Sequence, residues 1–254
     1  MSGKRVGLAL GGGAARGFAH VGVLRVLERE GIPVDFVAGT SVGSVIGVAR
    51  AAGFDGNDLQ QMALEFKWRN VGRPVWPRDG FFSFEPMESY LTSILGDLSF
   101  DELKIPYAAV ATDLETGEQV VLREGKVAPA VRASCSVPGL VVPVELEGRS
   151  LVDGGIVNNL PISVVRELGA EIVIAVGLSS PPGGRPKGPL GIGTAALEFL
   201  LVNAGDDPST ANVHIPIPVW GVLSLVSTGK RHRFMALGRQ AAEQALPAIK
   251  ALLE

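Results

Sequence analysis

Residues 36–43 read Phe-Val-Ala-Gly-Thr-Ser-Val-Gly. A short apolar strand runs straight into Gly39-Thr40-Ser41-Val42-Gly43. This is the G-x-S-x-G spacing that sets a serine hydroxyl at the tip of a sharp strand-to-helix turn. In so tight a turn the residues two before and two after the serine approach neighbouring backbone, so both must lack a Cβ. The surroundings fit the motif. Phe36–Ala38 reads as the strand, and Gly43–Ala52, with Arg50 its one charge, as a buried helix.

Outward from this elbow the chain alternates strand-like and helix-like segments, which predicts a mostly parallel sheet covered by helices. Arg5–Leu10 reads as the first strand and Gly11–Gly17 as a loop. Phe18–Glu30 has Val21, Leu24 and Leu27 on one helical face, and Gly31 and Pro33 end it. Leu59–Phe66 and Glu85–Leu95 read as helices around a long irregular stretch, Lys67–Phe84. Pro106–Thr112 and Gln119–Arg123 flank Glu115-Thr116-Gly117 as a hairpin. A short helix at Pro129–Ala133 and strands at Val141–Glu145 and Ser150–Val152 lead to Asp153, followed by a helix at Pro161–Leu168. Glu171–Gly177 is apolar enough for a central parallel strand. Pro181–Pro189 is a connection, Thr194–Val202 a helix, and Val213–Ile217 a last strand. Arg231–Leu253 closes the chain as a helix that Pro247 kinks or splits.

With 254 residues, 46% of them hydrophobic, the chain suffices for one large α/β domain over residues 1–254. Its motifs fall in residues 4–178, and 190–254 form a C-terminal helical part. A net charge of −3 argues against nucleic acid as a partner. The Lys230-Arg231-His232-Arg233 cluster reads as a solvated helix start. Cys135 is the one cysteine, so no internal disulfide forms, which fits a cytoplasmic setting. His20, His214 and His232 are far apart and no metal-ligand spacing occurs, so neither metal nor cofactor is expected. The apolar start, Val6–Leu10, breaks into glycines and reads as a strand rather than a signal peptide.

Three pieces follow strands and converge on one sheet edge, as sites do in open parallel sheets. They are Gly11-Gly12-Gly13-Ala14-Ala15-Arg16-Gly17, the Ser41 elbow, and Asp153-Gly154-Gly155. A serine hydroxyl needs a base, and Asp153 can take its proton directly if burial raises its pKa. Consecutive glycines can aim several amides at one oxyanion, with Gly12, Gly13 and Ala14 as the candidate donors. The helix after Ser41 adds positive potential at the same place. Glycines at 11, 12, 13 and 17 miss the dinucleotide spacing by one. Arg16 can ion-pair at a helix start, and His20 reads as a packed core histidine. Asp55-Gly56 and Asp79-Gly80 read as plain turns.

Taken together, Gly11–Gly17 as G-G-G-x-x-R-G, Gly39–Gly43 as G-T-S-x-G and Asp153–Gly155 as D-G-G resemble the patatin-like phospholipases. The likeness is closest to small bacterial members and to the catalytic domain of neuropathy target esterase. Arg132-Ala-Ser-Cys-Ser-Val-Pro-Gly139 and Asp153-Gly-Gly-Ile-Val-Asn-Asn-Leu-Pro161 are similar to that family's connecting segments. The resemblance implies a single-domain, three-layer α/β/α fold and a Ser–Asp dyad without a catalytic histidine. Ser41 matches the nucleophile, Asp153 the base and Gly11–Ala14 the oxyanion loop, with Arg16, Gly39, Gly43, Gly154 and Gly155 supporting them. It also implies hydrolysis of fatty-acyl esters, usually phospholipids or lysophospholipids, through an acyl-enzyme.

Trp76, Phe81, Phe82 and Phe84, with Leu197–Leu201 and Trp220, are expected to line an acyl groove or to dip into a lipid surface as a peripheral membrane contact. Core packing is the competing expectation for these rings. Two other functional readings remain at this point. One is an α/β-hydrolase triad with His214 or His232 as base. The other is a non-catalytic acyl-binding module on the same fold.

Overall fold

The computed structural model describes residues 4–179, 187–218 and 228–254. In chain order the strands are β1 (Val6–Leu10), β2 (Phe36–Thr40), β3 (Arg73–Pro74), β4 (Phe82–Ser83), β5 (Tyr107–Asp113), β6 (Gln119–Leu122), β7 (Val144–Leu146), β8 (Arg149–Asp153), β9 (Ile172–Ser179) and β10 (Val213–Pro218). The helices are α1 (Phe18–Arg29), α2 (Val42–Ala51), α3 (Gly56–Glu65), α4 (Trp68–Val71), α5 (Glu85–Leu95), α6 (Val127–Ser134), α7 (Ile162–Glu167), α8 (Gly188–Asn203) and α9 (Arg231–Leu253).

Parallel pairing runs β10-β9-β1-β2-β5 through the centre of an 8-stranded sheet. β9 is almost wholly apolar and lies between two parallel neighbours, where both its faces are covered. β10 alternates buried Val213, Ile215 and Ile217 with exposed His214, Pro216 and Pro218. Its prolines suit an edge strand, which has amides to spare and gains from blocking a further pairing.

The other edge is mixed. β6 pairs antiparallel with β5 through Ala109–Thr112, and β8 pairs antiparallel with β5 through Ala111–Asp113. Ala111 and Thr112 bond both partners, so β6 and β8 lie on opposite edges of β5. β2 pairs with Tyr107–Val110, where Ala109 and Val110 also pair with β6, so β8 continues along the edge that β2 occupies lower down. β8 therefore descends toward the end of β2 and stops at Asp153.

Strand side chains alternate between two cores, as period-two geometry requires. Leu8, Leu10, Val37, Ala109, Ile174 and Val176 face the larger core, shared with buried residues of α1, α2, α3, α6 and α9. Ala9, Ala38, Ala108, Val110, Val173 and Ala175 face a smaller one closed by Leu160 and by Ile162, Val164 and Val165 of α7. The result is the expected three-layer arrangement, with layers of unequal thickness.

Several elements differ from the sequence reading. Asp55 caps α3, accepting from the amides of Asn57 and Asp58 while Asp58 answers to the amide of Asp55. The helix therefore starts ahead of Leu59, and Asp55-Gly56 is a cap rather than a plain turn. Lys67–Phe84 contains α4 and the β3–β4 pair. The last strand falls where the sequence put it, at β10, whereas α9 runs through Pro247 without a break. Arg231 is not a solvated helix start: it donates to the carbonyls of Ala63, Leu64 and Phe66 at the end of α3 and lies over the Phe18 ring. Most of the Pro181–Pro189 connection, and Trp220, lie outside the described residues.

Candidate active site

Ser41 sits between β2 and α2 with φ 54 and ψ −127, a conformation that costs a side-chain-bearing residue about 1–3 kcal/mol. The turn closes because Gly39 and Gly43 lack side chains. A Cβ on Gly39 would meet the Gly43 carbonyl, and one on Gly43 the Leu10 carbonyl. The Ser41 carbonyl accepts from the amides of Ser44 at 2.8 Å and Val45 at 3.3 Å, which starts α2. The Ser41 amide donates to Ser134 Oγ of α6 at 2.9 Å. The backbone is thus held from both sides while the hydroxyl stays available.

Asp153 comes to the same place by strand pairing. Thr40 pairs with Val110 on β5, and Asp153 pairs with the next residue, Ala111. This corrects the sequence reading in one respect. β8 is antiparallel to β5, so Asp153 is not at the carboxyl-end rim of a parallel strand; it meets Ser41 because β8 stops where β2 turns away. The Asp153 amide donates to the Ser136 carbonyl at 2.8 Å, and its carbonyl accepts from Thr112 Oγ1 at 3.0 Å. Its carboxylate is buried and accepts from the Gly155 amide at 2.8 Å, with the Ser41 side chain near enough to favour its charged form. Burial pushes the carboxyl up to about 6, against the downward pull of the nearby Ser41 side chain and the Gly155 amide.

The glycine loop supplies amides, though fewer than its sequence promised. The Gly11 amide donates to the Val176 carbonyl at 3.0 Å and the Gly12 amide to the Asn159 carbonyl at 3.1 Å. Gly11 and Gly12 are thereby committed to holding the loop. The amides of Gly13 and Ala14 have no hydrogen-bond partner among the described residues. Their φ values of 159 and 49 turn the chain sharply there. Buried Arg16 donates through Nε to the Gly13 carbonyl at 3.2 Å. His20 is fully buried, with Nε2 2.8 Å from the Gly11 carbonyl, and burial lowers its pKa to about 4. At neutral pH the ring is uncharged and donates from Nε2, bracing the loop from behind.

Neither of the other histidines reaches the site. His214 is level with Ala175 on β10, three strands from β2, which is about 14 Å at ordinary strand spacing. His232 lies in a groove between α1, α3 and α9, beside Arg25 and Arg239. No group of three or more His, Cys, Asp or Glu among the described residues is placed to hold a metal ion.

Asp153-Gly154-Gly155-Ile156 continues as a one-turn 3-10 helix, with Gly154 packed against the Val110 carbonyl and Leu201 of α8 against Gly155. The following asparagines tie the site together, a role their sequence did not reveal. Thr40 Oγ1 donates to the Asn158 carbonyl at 2.8 Å, and Asn158 Nδ2 donates to Gln119 at 2.9 Å and Asp206 at 3.2 Å. Ser134 was missed for a similar reason, since a helical serine that accepts one distant amide leaves no spacing signal. The aromatics divide. Trp76, Phe81 and Phe82 are 82%, 56% and 45% exposed, whereas Phe84 packs against the larger core.

The patatin-like phospholipase family model matches residues 8–166. The chain is 38% identical over 186 residues to an uncharacterised NTE family protein of Mycobacterium tuberculosis, covering 72% of this chain and 51% of the relative. It is 36% identical over 188 residues to human patatin-like phospholipase domain-containing protein 6, covering 71% of this chain and 14% of that protein. Lysophospholipase NTE1 of Saccharomyces cerevisiae is 31% identical over 222 residues, covering 85% of this chain and 13% of that protein. The chain thus spans about half the length of the mycobacterial relative and a much smaller share of the eukaryotic ones. Among solved structures, VipD of Legionella pneumophila aligns over 99% of this chain and 67% of its own, with a TM-score of 0.63 at 15% identity. The type III effector ExoU aligns over 99% of this chain and 54% of its own, with a TM-score of 0.58 at 14% identity. The chain belongs to the patatin-like phospholipase family.

Proposed function

We propose that this protein is a serine acyl hydrolase of the lysophospholipase or phospholipase A type, working through Ser41 and Asp153. The observation that carries the reading is the strand register that sets Ser41, on its strained elbow, beside the buried Asp153 carboxylate. A relative named as a lysophospholipase supports the substrate class.

Ser41 Oγ attacks the ester carbonyl carbon while Asp153 takes the hydroxyl proton. The oxyanion is met by the amides of Gly13 and Ala14, assisted by the first-turn amide of Val42 and the α2 N-terminus. Collapse breaks the bond to the alcohol, Asp153 returns the proton to the leaving oxygen, and an acyl-Ser41 remains. Water then attacks the acyl carbon and gives its proton to Asp153. The second collapse releases the fatty acid and returns the proton to Ser41. No step uses a metal or a histidine.

The enzyme meets its substrate as a peripheral visitor to membranes. No helix among the described residues is long and apolar enough to cross one. The test is turnover of p-nitrophenyl esters, phospholipids and lysophospholipids, with fluorophosphonate labelling alongside. Hydrolysis and labelling that both vanish in Ser41→Ala support the proposal. Acyl binding without turnover or labelling makes the protein a binding module instead.

A further inference from the structure

We propose that residues 67–82 and the adjoining turn at Leu140 form a docking surface for an anionic lipid bilayer. This rests on the lipid-hydrolase reading above and adds to it the place and the charge of the membrane contact.

The patch is one hydrogen-bonded unit. The amides of Phe81 and Phe82 both donate to the Leu140 carbonyl, at 2.9 and 3.0 Å, and the Val142 amide donates to the Phe82 carbonyl at 2.9 Å. Leu140 is itself exposed, beside the exposed rings of Phe81 and Phe82. Trp76 belongs to the same surface, since Val75 donates to the Phe81 carbonyl at 3.1 Å. Large apolar side chains gathered in water on a backbone braced in this way mark an interaction site.

Charge identifies the occupant. Lys67, Arg69, Arg73 and Arg78 are exposed in this segment against Asp79 alone, although the whole chain carries a net charge of −3. Arg73 pairs with Glu85, whereas Lys67, Arg69 and Arg78 have no salt bridge among the described residues. Arg78 lies between Trp76 and Phe81 in sequence, with its amide bonded to the Trp76 carbonyl at 2.9 Å. Exposed indole and phenyl rings among unneutralised cations fit the boundary of an anionic bilayer. The position also suits catalysis. Ser136, which accepts the Asp153 amide, is four residues before Leu140, so the patch lies within about 20 Å of Asp153.

The experiment is co-sedimentation of the full chain with vesicles of non-hydrolysable ether lipids. One set is phosphatidylcholine alone and the other contains phosphatidylglycerol. The expected result is binding that requires phosphatidylglycerol, weakened about tenfold or more by Trp76→Ser with Phe82→Ser. Arg78→Gln weakens it about fivefold. Because Arg78 is a surface residue, that variant keeps the proposal open to test if the double variant misfolds. Absence of binding to either vesicle, or binding indifferent to both variants, overturns the proposal. So does a dimer in solution that the double variant converts to monomer, since the patch would then hold a second copy of this chain. Ether lipids remove turnover from the readout, and fluorophosphonate labelling of Ser41 reports separately on the catalytic reading.

Discussion

Thr40 and Asp153 occupy successive places along one edge of β5, opposite Val110 and Ala111. The strand that ends in the serine elbow and the strand that delivers the carboxylate share a single template. Residues far apart in the chain thus meet through backbone register rather than through any local sequence signal.

A buried carboxylate carries a stability signature. The Asp153 pKa, raised from 3.8 to about 6, means the folded protein binds this proton more tightly than the unfolded chain. Stability from this group is therefore full at low pH and falls as pH rises from about 4 to about 6. At pH 7 the penalty is on the order of 3 kcal/mol. Asp153→Asn should be inactive yet more stable than wild type at pH 7, with the difference closing near pH 4. Thermal melts across this range check it, and a less stable variant at pH 7 contradicts it.

The same titration sets the rate profile. Asp153 must be ionised to accept the Ser41 proton, so kcat/KM on a soluble ester should rise tenfold per pH unit below about 6 and level off above it. A profile flat through pH 6 would assign the base elsewhere.

Histidine replacement separates a dyad from a triad. His214→Ala and His232→Ala should each retain kcat/KM within about twofold, whereas loss of a general base costs about 100-fold or more. A loss of that size in either variant, measured on p-nitrophenyl butyrate, refutes the dyad.

In the proposed mechanism Ser134 positions Ser41 through its backbone amide. Ser134→Ala leaves the Ser41 amide without the acceptor it has at 2.9 Å, at a cost of about 1–3 kcal/mol. Lower kcat with KM nearly unchanged is expected, and Ser134→Thr, which keeps the oxygen, should recover part of it. If the two variants are equally impaired, Ser134 acts through packing alone.

The parts of the site that local chemistry dictates were legible in the sequence. Gly39 and Gly43 announce a turn no other residue can make, and the strand–glycine–helix order around Gly11–Gly17 follows from periodicity. Pairing between distant segments was not legible. Nothing near Asp153 says that β8 runs antiparallel to β5, nor that the Asn159 and Val176 carbonyls take the Gly12 and Gly11 amides. The loop therefore read as offering more unbonded amides than it has. The Asp55–Asp58 capping box was readable in principle, but an Asp-Gly pair is more often a turn.

The most direct measurement is mass mapping of the protein quenched during turnover of a p-nitrophenyl ester at pH 8. The acyl group should be found on the peptide carrying Ser41, with release of about one equivalent of nitrophenol in the first burst from wild type and none from Ser41→Ala. Steady turnover with Ser41 unmodified and an acyl adduct on another residue would contradict the account.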